Sequence, residues 1–129
     1  MFCQKYQKKI LQLEVRLEKY EVFLQALDKS QAMIEFDVQG YILHANESCL
    51  KTVGYELSEI IGKHHRIFMP ENEAKSLEYQ QFWQDLSSEK FISDRIKRVN
   101  KKGEVLWLRA SYNPVFDKQG NIVKVVKLA

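Results

Sequence analysis

The sequence predicts an α+β domain built on an antiparallel sheet and preceded by a long amphipathic helix. Three observations predict it. Residues 1 to 30 repeat apolar groups at helical spacing. Two short β-patterned runs follow. After a block of short helices, three more β-patterned runs close the chain. At 129 residues there is room for one domain with a proper core plus an extension.

The helix comes first. Cys3, Tyr6, Ile10, Leu13, Leu17, Tyr20, Leu24 and Leu27 follow alternating steps of three and four, an a/d seam. Gln, Lys, Glu and Arg fill most positions between them, as a solvated face requires. Leu11, Val15, Val22 and Phe23 form a second stripe. The seam predicts pairing with a second copy through Ile10, Leu13, Leu17, Tyr20 and Leu24, and the second stripe predicts contact with the chain's own domain. The domain boundary is set here: 1–28 is the helix and 29–129 the domain.

"AMIEFDVQGYILHAN" reads as two strands around a turn at Gly40, with Ala32, Ile34 and Phe36 alternating against more polar neighbours. Asn46 is a helix N-cap for "ESCLKTVG", and Gly54 stops that helix. "YELSEIIG" is a second short helical piece. "GKHHRIFMP" is a bend broken at Pro70. "EAKSLEYQQFWQDLSS" is read as one helix carrying Leu77, Phe82, Trp83 and Leu86.

"FISDRIKRVN" and "EVLWLRASYNPVF" flank the hairpin turn "KKG". "DKQGN" turns into the last strand, "IVKVVKLA". In the central strand Leu106, Leu108, Ala110 and Tyr112 face one way, and Val105, Trp107 and Arg109 the other. Apolar bulk near Trp107 on both faces predicts cover on both. The helical block suits the Leu108 face and the amphipathic helix suits the Trp107 face.

Composition narrows the function. The net charge is only +3, without the strong basic patch of a nucleic-acid binder. No apolar run reaches the ~20 residues that span a bilayer, and the N-terminus lacks a signal-peptide core, so a cytoplasmic location is expected. Cys3 and Cys49 suggest neither a disulfide framework nor a metal cage. His64 and His65 are adjacent, so they point in different directions and do not form a two-histidine metal site. Nucleophile-elbow, Walker and kinase motifs are lacking. The reading is a sensor or interaction module, not an enzyme.

The words "AMIEFDVQGYILHAN", "TVGYELSEIIGK", "RVNKKGEVLWLRASYNPVFDKQGN" and "VVKLA", in that order, resemble a PAS domain over about residues 28 to 129. The likeness is greatest to bacterial chemoreceptor-type and aerotaxis sensors, including the biofilm-dispersion type. It implies a five-stranded antiparallel sheet with helices across one face, often an N-terminal helix, and a ligand or cofactor between helices and sheet. It also implies a downstream helical signalling module and chemotaxis-type signal transduction through a homodimer.

Three readings of the interior follow from the resemblance. FAD is the first cofactor candidate. Asn46, His65, Trp83 and Trp107 match positions in the aerotaxis pattern, and Arg66 matches an arginine that contacts flavin phosphate. Arg98 stands where those relatives carry an asparagine, and faces the ring or pairs with Asp94 or Glu104. His65 replaces the cysteine of the photosensing "GxNCRF" motif, which argues against light-driven adduct chemistry. Haem b is the second candidate, but Met69 occupies its ligand position; His64, His65 and His44 are the other options. In the third reading no cofactor binds, and Ile96, Leu106, Leu108, Ile67 and Phe68 fill the space. The candidate cofactor set is Asn46, His65, Arg66, Trp83, Arg98 and Leu108. Metal and catalytic residues are not expected.

Overall fold

The computed structural model describes residues 2–129, with side chains from Cys3 onward. Helix α1 (Phe2–Ser30) is one unit, and Gln31–Ala129 is the other. The helix runs three residues beyond the periodic seam. Ser30 ends it, its hydroxyl donating back to the carbonyls of Ala26 and Leu27. Ile10, Leu13, Leu17, Tyr20 and Leu24 are all at least half exposed.

The second unit begins with β1 (Met33–Phe36) and β2 (Ile42–Ala45). Then come α2 (Glu47–Val53), α3 (Leu57–Ile60), a 3-10 turn (His65–Phe68), α4 (Glu71–Ala74) and α5 (Leu77–Ser87). The strands β3 (Ile92–Val99), β4 (Val105–Phe116) and β5 (Ile122–Leu128) complete it. All neighbouring strands are antiparallel, in the order β2-β1-β5-β4-β3. The first and last strands of the unit are therefore central neighbours, so its ends are tied into the middle of the sheet.

Three hairpin turns share one chemical design. Asp37 Oδ1 accepts from the N–H groups of Gln39 and Tyr41. Asn100 does the same for Lys102 and Glu104, and Asp117 for Gln119 and Asn121. A glycine follows three residues after each, with φ between 79° and 96°. Gly40 is needed for a further reason. A Cβ there would lie 2.6 Å from His64 Nε2 and 2.8 Å from Trp83 Cε2.

The stretch read as one helix is two. Ser76 is extended, and its hydroxyl accepts from the Tyr79 N–H to restart the helix as α5. The restart changes the buried face. Leu77 is 79% exposed, while Tyr79, Trp83 and Leu86 are buried. Positions 79, 82, 83 and 86 form the true apolar stripe.

On the sheet, Ile34, Phe36, Ala110, Tyr112 and Val125 face the helices and are buried. On the other face of the sheet Trp107 is 58% exposed, with the Arg95 guanidinium 5.0 Å over its ring.

Candidate functional site

His65 is the centre of the interior. The segment leading to it is stitched to the start of β2. Gly62 N–H donates to Ile42 O, Ile42 N–H to Lys63 O, and His65 N–H to Gly40 O. This pairing sends the two histidines opposite ways. The His64 ring stays at the surface, where Nδ1 accepts from the Arg66 N–H and Nε2 donates to Gln39 O. It caps the turn as an Asx side chain would. His65 points inward and is fully buried.

His65 has a hydroxyl on each side. Nδ1 lies 2.6 Å from Tyr79 Oη, and Nε2 lies 3.0 Å from Tyr112 Oη. Tyr112 Oη also accepts from Arg98 Nη2 at 3.1 Å. A four-member polar chain, Arg98–Tyr112–His65–Tyr79, thus crosses from β3 and β4 to α5. Phe36, Phe68, Phe82 and Trp83 enclose it with ring contacts.

Electrostatics keep this histidine neutral. Burial pushes its pKa well below the usual range, and the cations of Arg98 and Lys127 push the same way. Burial also lowers His64 and raises the Tyr79 phenol. The Trp83 indole is the next influence on Tyr79, yet it lies outside hydrogen-bond geometry.

Arg98 is 6% exposed and makes no ion pair among the described residues, neither with Asp94 nor with Glu104. Nη1 donates to Lys97 O, and Nε has no partner. Trp83 Nε1, also buried, has none. Both residues border open grooves. One groove, of about 550 Å³, lies beside α5 and β3 and is lined by Met69, Tyr79, Phe82, Ile92, Ile96 and Arg98, with Glu73, Glu78 and Asp94 among its acidic residues. The other, of about 750 Å³, runs between the His65 turn and α5, with Arg66, Lys75, Trp83 and Gln80. Tyr79 and Met69 belong to both.

Of the residues picked from sequence, His65, Trp83 and Arg98 come together. Arg66 is exposed and borders only the larger groove. Leu108 is half-buried on β4 opposite Ile96. Asn46 is committed elsewhere. Its Oδ1 accepts from Cys49 N–H and Met33 N–H, and its Nδ2 donates to Gln31 O. It caps α2 and pins the entry to β1. Tyr79 and Tyr112 were missed. Tyr79 is visible only once the α5 stripe is set by the Ser76 cap. Tyr112 was placed on the correct face of its strand but given no polar role.

The donor set does not fit haem. Both nitrogens of His65 and of His64 already have partners, and His44 is exposed on β2. A flavin fits better. Arg98 and Phe82 offer a donor and a ring face in one groove, and Arg66 and Lys75 offer cations in the other. No group of three or more metal-ligating side chains occurs among the described residues. Cys49 is buried, and burial raises its thiol pKa. No described helix is long and apolar enough to cross a membrane.

The profile of the PAS fold matches residues 42–129. The chain is 47% identical over 104 residues to the biofilm dispersion protein BdlA of Pseudomonas aeruginosa, covering 81% of this chain and 25% of that protein. It is 30% identical over 95 residues to the aerotaxis receptor of Escherichia coli, covering 74% of this chain and 18% of the receptor. It therefore spans a quarter or less of these curated relatives. A light-oxygen-voltage domain studied with a flavin analogue superposes with a TM-score of 0.68 at 22% identity, covering 83% of this chain and 82% of that one. Four of the five strands and all the helices between β2 and β3 lie within the matched residues, and the chain belongs to the PAS family.

Proposed function

We propose that the chain is the cytoplasmic sensory PAS domain of a bacterial chemotaxis-type signalling protein. It senses redox state, oxygen or a small ligand, and it signals through the packing of a homodimer joined by α1. The identity to BdlA supports the signalling class. The observation that carries a ligand-sensing role is Arg98. It is a buried guanidinium with an unpartnered Nε beside an open groove. Burying a cation without a counter-charge is costly unless something supplies the missing partner.

FAD is the first candidate. Arg98, Phe82 and Trp83 are the residues that would hold its ring, and Arg66 its phosphate. When bound, a flavin supplies reversible one- and two-electron redox chemistry. His65 would then act through Tyr79 and Tyr112. The absorption spectrum of freshly purified protein tests this reading. The paired near-ultraviolet and blue bands of a flavin support it. A haem Soret band, or a colourless protein that takes up no added FAD, defeats it.

A second reading, a cofactor-free module for dimerisation or docking, has its own support. The space between helices and sheet is filled by His65, Phe82, Trp83 and Tyr112. On either reading no turnover is expected from this chain.

A further inference from the structure

The charges beside the seam of α1 carry information about orientation. The seam puts Cys3, Ile10, Leu17 and Leu24 at the a positions of the heptad, with a d position three residues after each. Position g, just before an a, holds Lys9, Arg16 and Phe23. Position e, just after a d, holds Gln7, Glu14, Glu21 and Asp28. Every charge at these g positions is positive, and every charge at e is negative. Lys9, Glu14, Arg16 and Glu21 are exposed, and none of the four enters an ion pair among the described residues.

Their own helix gives these charges no opposite partner. Residues three or four apart are neighbours on a helix surface. At that spacing Lys9 has Lys5, Arg16 has Lys19, and Glu14 and Glu21 share Glu18. Each is a like-charge neighbour, and such pairs destabilise a helix standing alone. A second helix reverses the sign. In a parallel pair, g of one helix lies against the e five residues further on in the other. Lys9 then faces Glu14 of the second copy, Arg16 faces Glu21 of the second copy, and symmetry repeats both pairs. In an antiparallel pair, g lies against g and e against e. No antiparallel register joins opposite charges in this sequence. A parallel pair slipped by one heptad keeps the charge match but cuts the eight seam layers to six.

We infer that α1 pairs with a second copy of this chain in parallel and in register, held to that orientation by Lys9 and Arg16 of each copy against Glu14 and Glu21 of the other. This orientation rests on the homodimer reading above and adds the direction of the helices to it. The two Ser30 ends then lie together, and both 31–129 units follow from the same end of the pair.

The test uses the full chain and begins with sedimentation. A monomer means that something other than a second copy covers the seam, and overturns the homodimer reading and the orientation together. For a dimer, disulfide trapping reads the direction. Native Cys3 and, in a Cys3→Ser background, Leu24→Cys are oxidised and run on a non-reducing gel. Cys49 is buried and stays out of the reaction. A disulfide needs Cα atoms within about 7 Å. The parallel, in-register pair should give a covalent dimer at both positions. A slip of one heptad parts each pair by about 10 Å, and an antiparallel pair aligned over the whole seam parts them by about 27 Å or more. A dimer that cross-links at neither position, or at one alone, overturns the orientation and leaves the homodimer reading standing. Charge reversal then reads the cause. Glu14→Lys with Glu21→Lys should weaken dimerisation about a hundredfold, and adding Lys9→Glu with Arg16→Glu should restore it. Both glutamate substitutions relieve repulsion from Glu18 within the same helix, so weaker pairing would not come from a weaker helix. Unchanged dimerisation by Glu14→Lys with Glu21→Lys overturns the proposal.

Discussion

The interior around His65 and the surface of α1 are opposites. In the interior, each ring nitrogen of a buried histidine meets a hydroxyl, and each hydroxyl meets a histidine. Along α1, Ile10, Leu13, Leu17, Tyr20 and Leu24 are half exposed or more. The first region is explained by its own chain. The second has the seam of a paired helix and shows its apolar residues to solvent. The seam supports the proposal that α1 pairs with a second copy.

The sharpest way to break this contrast is His65→Leu. It strands two tyrosine hydroxyls and should destabilise the domain by about 3 kcal/mol or more in urea unfolding. A change below about 1 kcal/mol would mean that the polar chain is not a structural unit. Next comes Asn46→Ala, which removes an N-cap and the ties to Met33 and Gln31. The expected loss is about 2 kcal/mol.

Acid gives a graded version. The folded-state pKa of His65 is depressed, so the unfolded chain takes up a proton first as pH falls. Stability is therefore fully present above the unfolded value of about 6.5, and falls below it by up to about 1.4 kcal/mol per pH unit. His64 adds a weaker effect of the same sign. Unfolding free energies from pH 7 to 5 should show this slope, and His65→Gln should flatten it.

The smallest stability effect belongs to α1. Leu17→Asp with Leu24→Asp should leave unfolding of the 31–129 unit within about 0.5 kcal/mol of wild type, since neither side chain is buried. Light scattering should still show loss of the dimer.

The same contrast governs what was legible in the sequence. Local rules worked where the partners are local. The helical spacing of residues 3–27, the Asn46 cap, the Gly54 stop and the Gly40 turn each concern residues a few positions apart. The five strands and their order of appearance followed from alternation and turns. The helix break at Ser76 was hidden because its flanks are good helix formers, and that misplaced the stripe onto Leu77. The His65 chain was not legible, because its bonds join residues 14 and 47 positions apart. Periodicity put Tyr112 on the inner face, but only the sheet register and α5 bring it to His65. Sequence could say that one histidine turns inward. It could not say that tyrosines would receive it.

The central claim is a division of labour: α1 joins two copies, and the 31–129 unit recognises a ligand. Sedimentation of the chain with and without residues 1–27 tests it most directly. The intact chain should sediment as a dimer and the shortened one as a folded monomer. A shortened chain that remains a tight dimer would contradict the account.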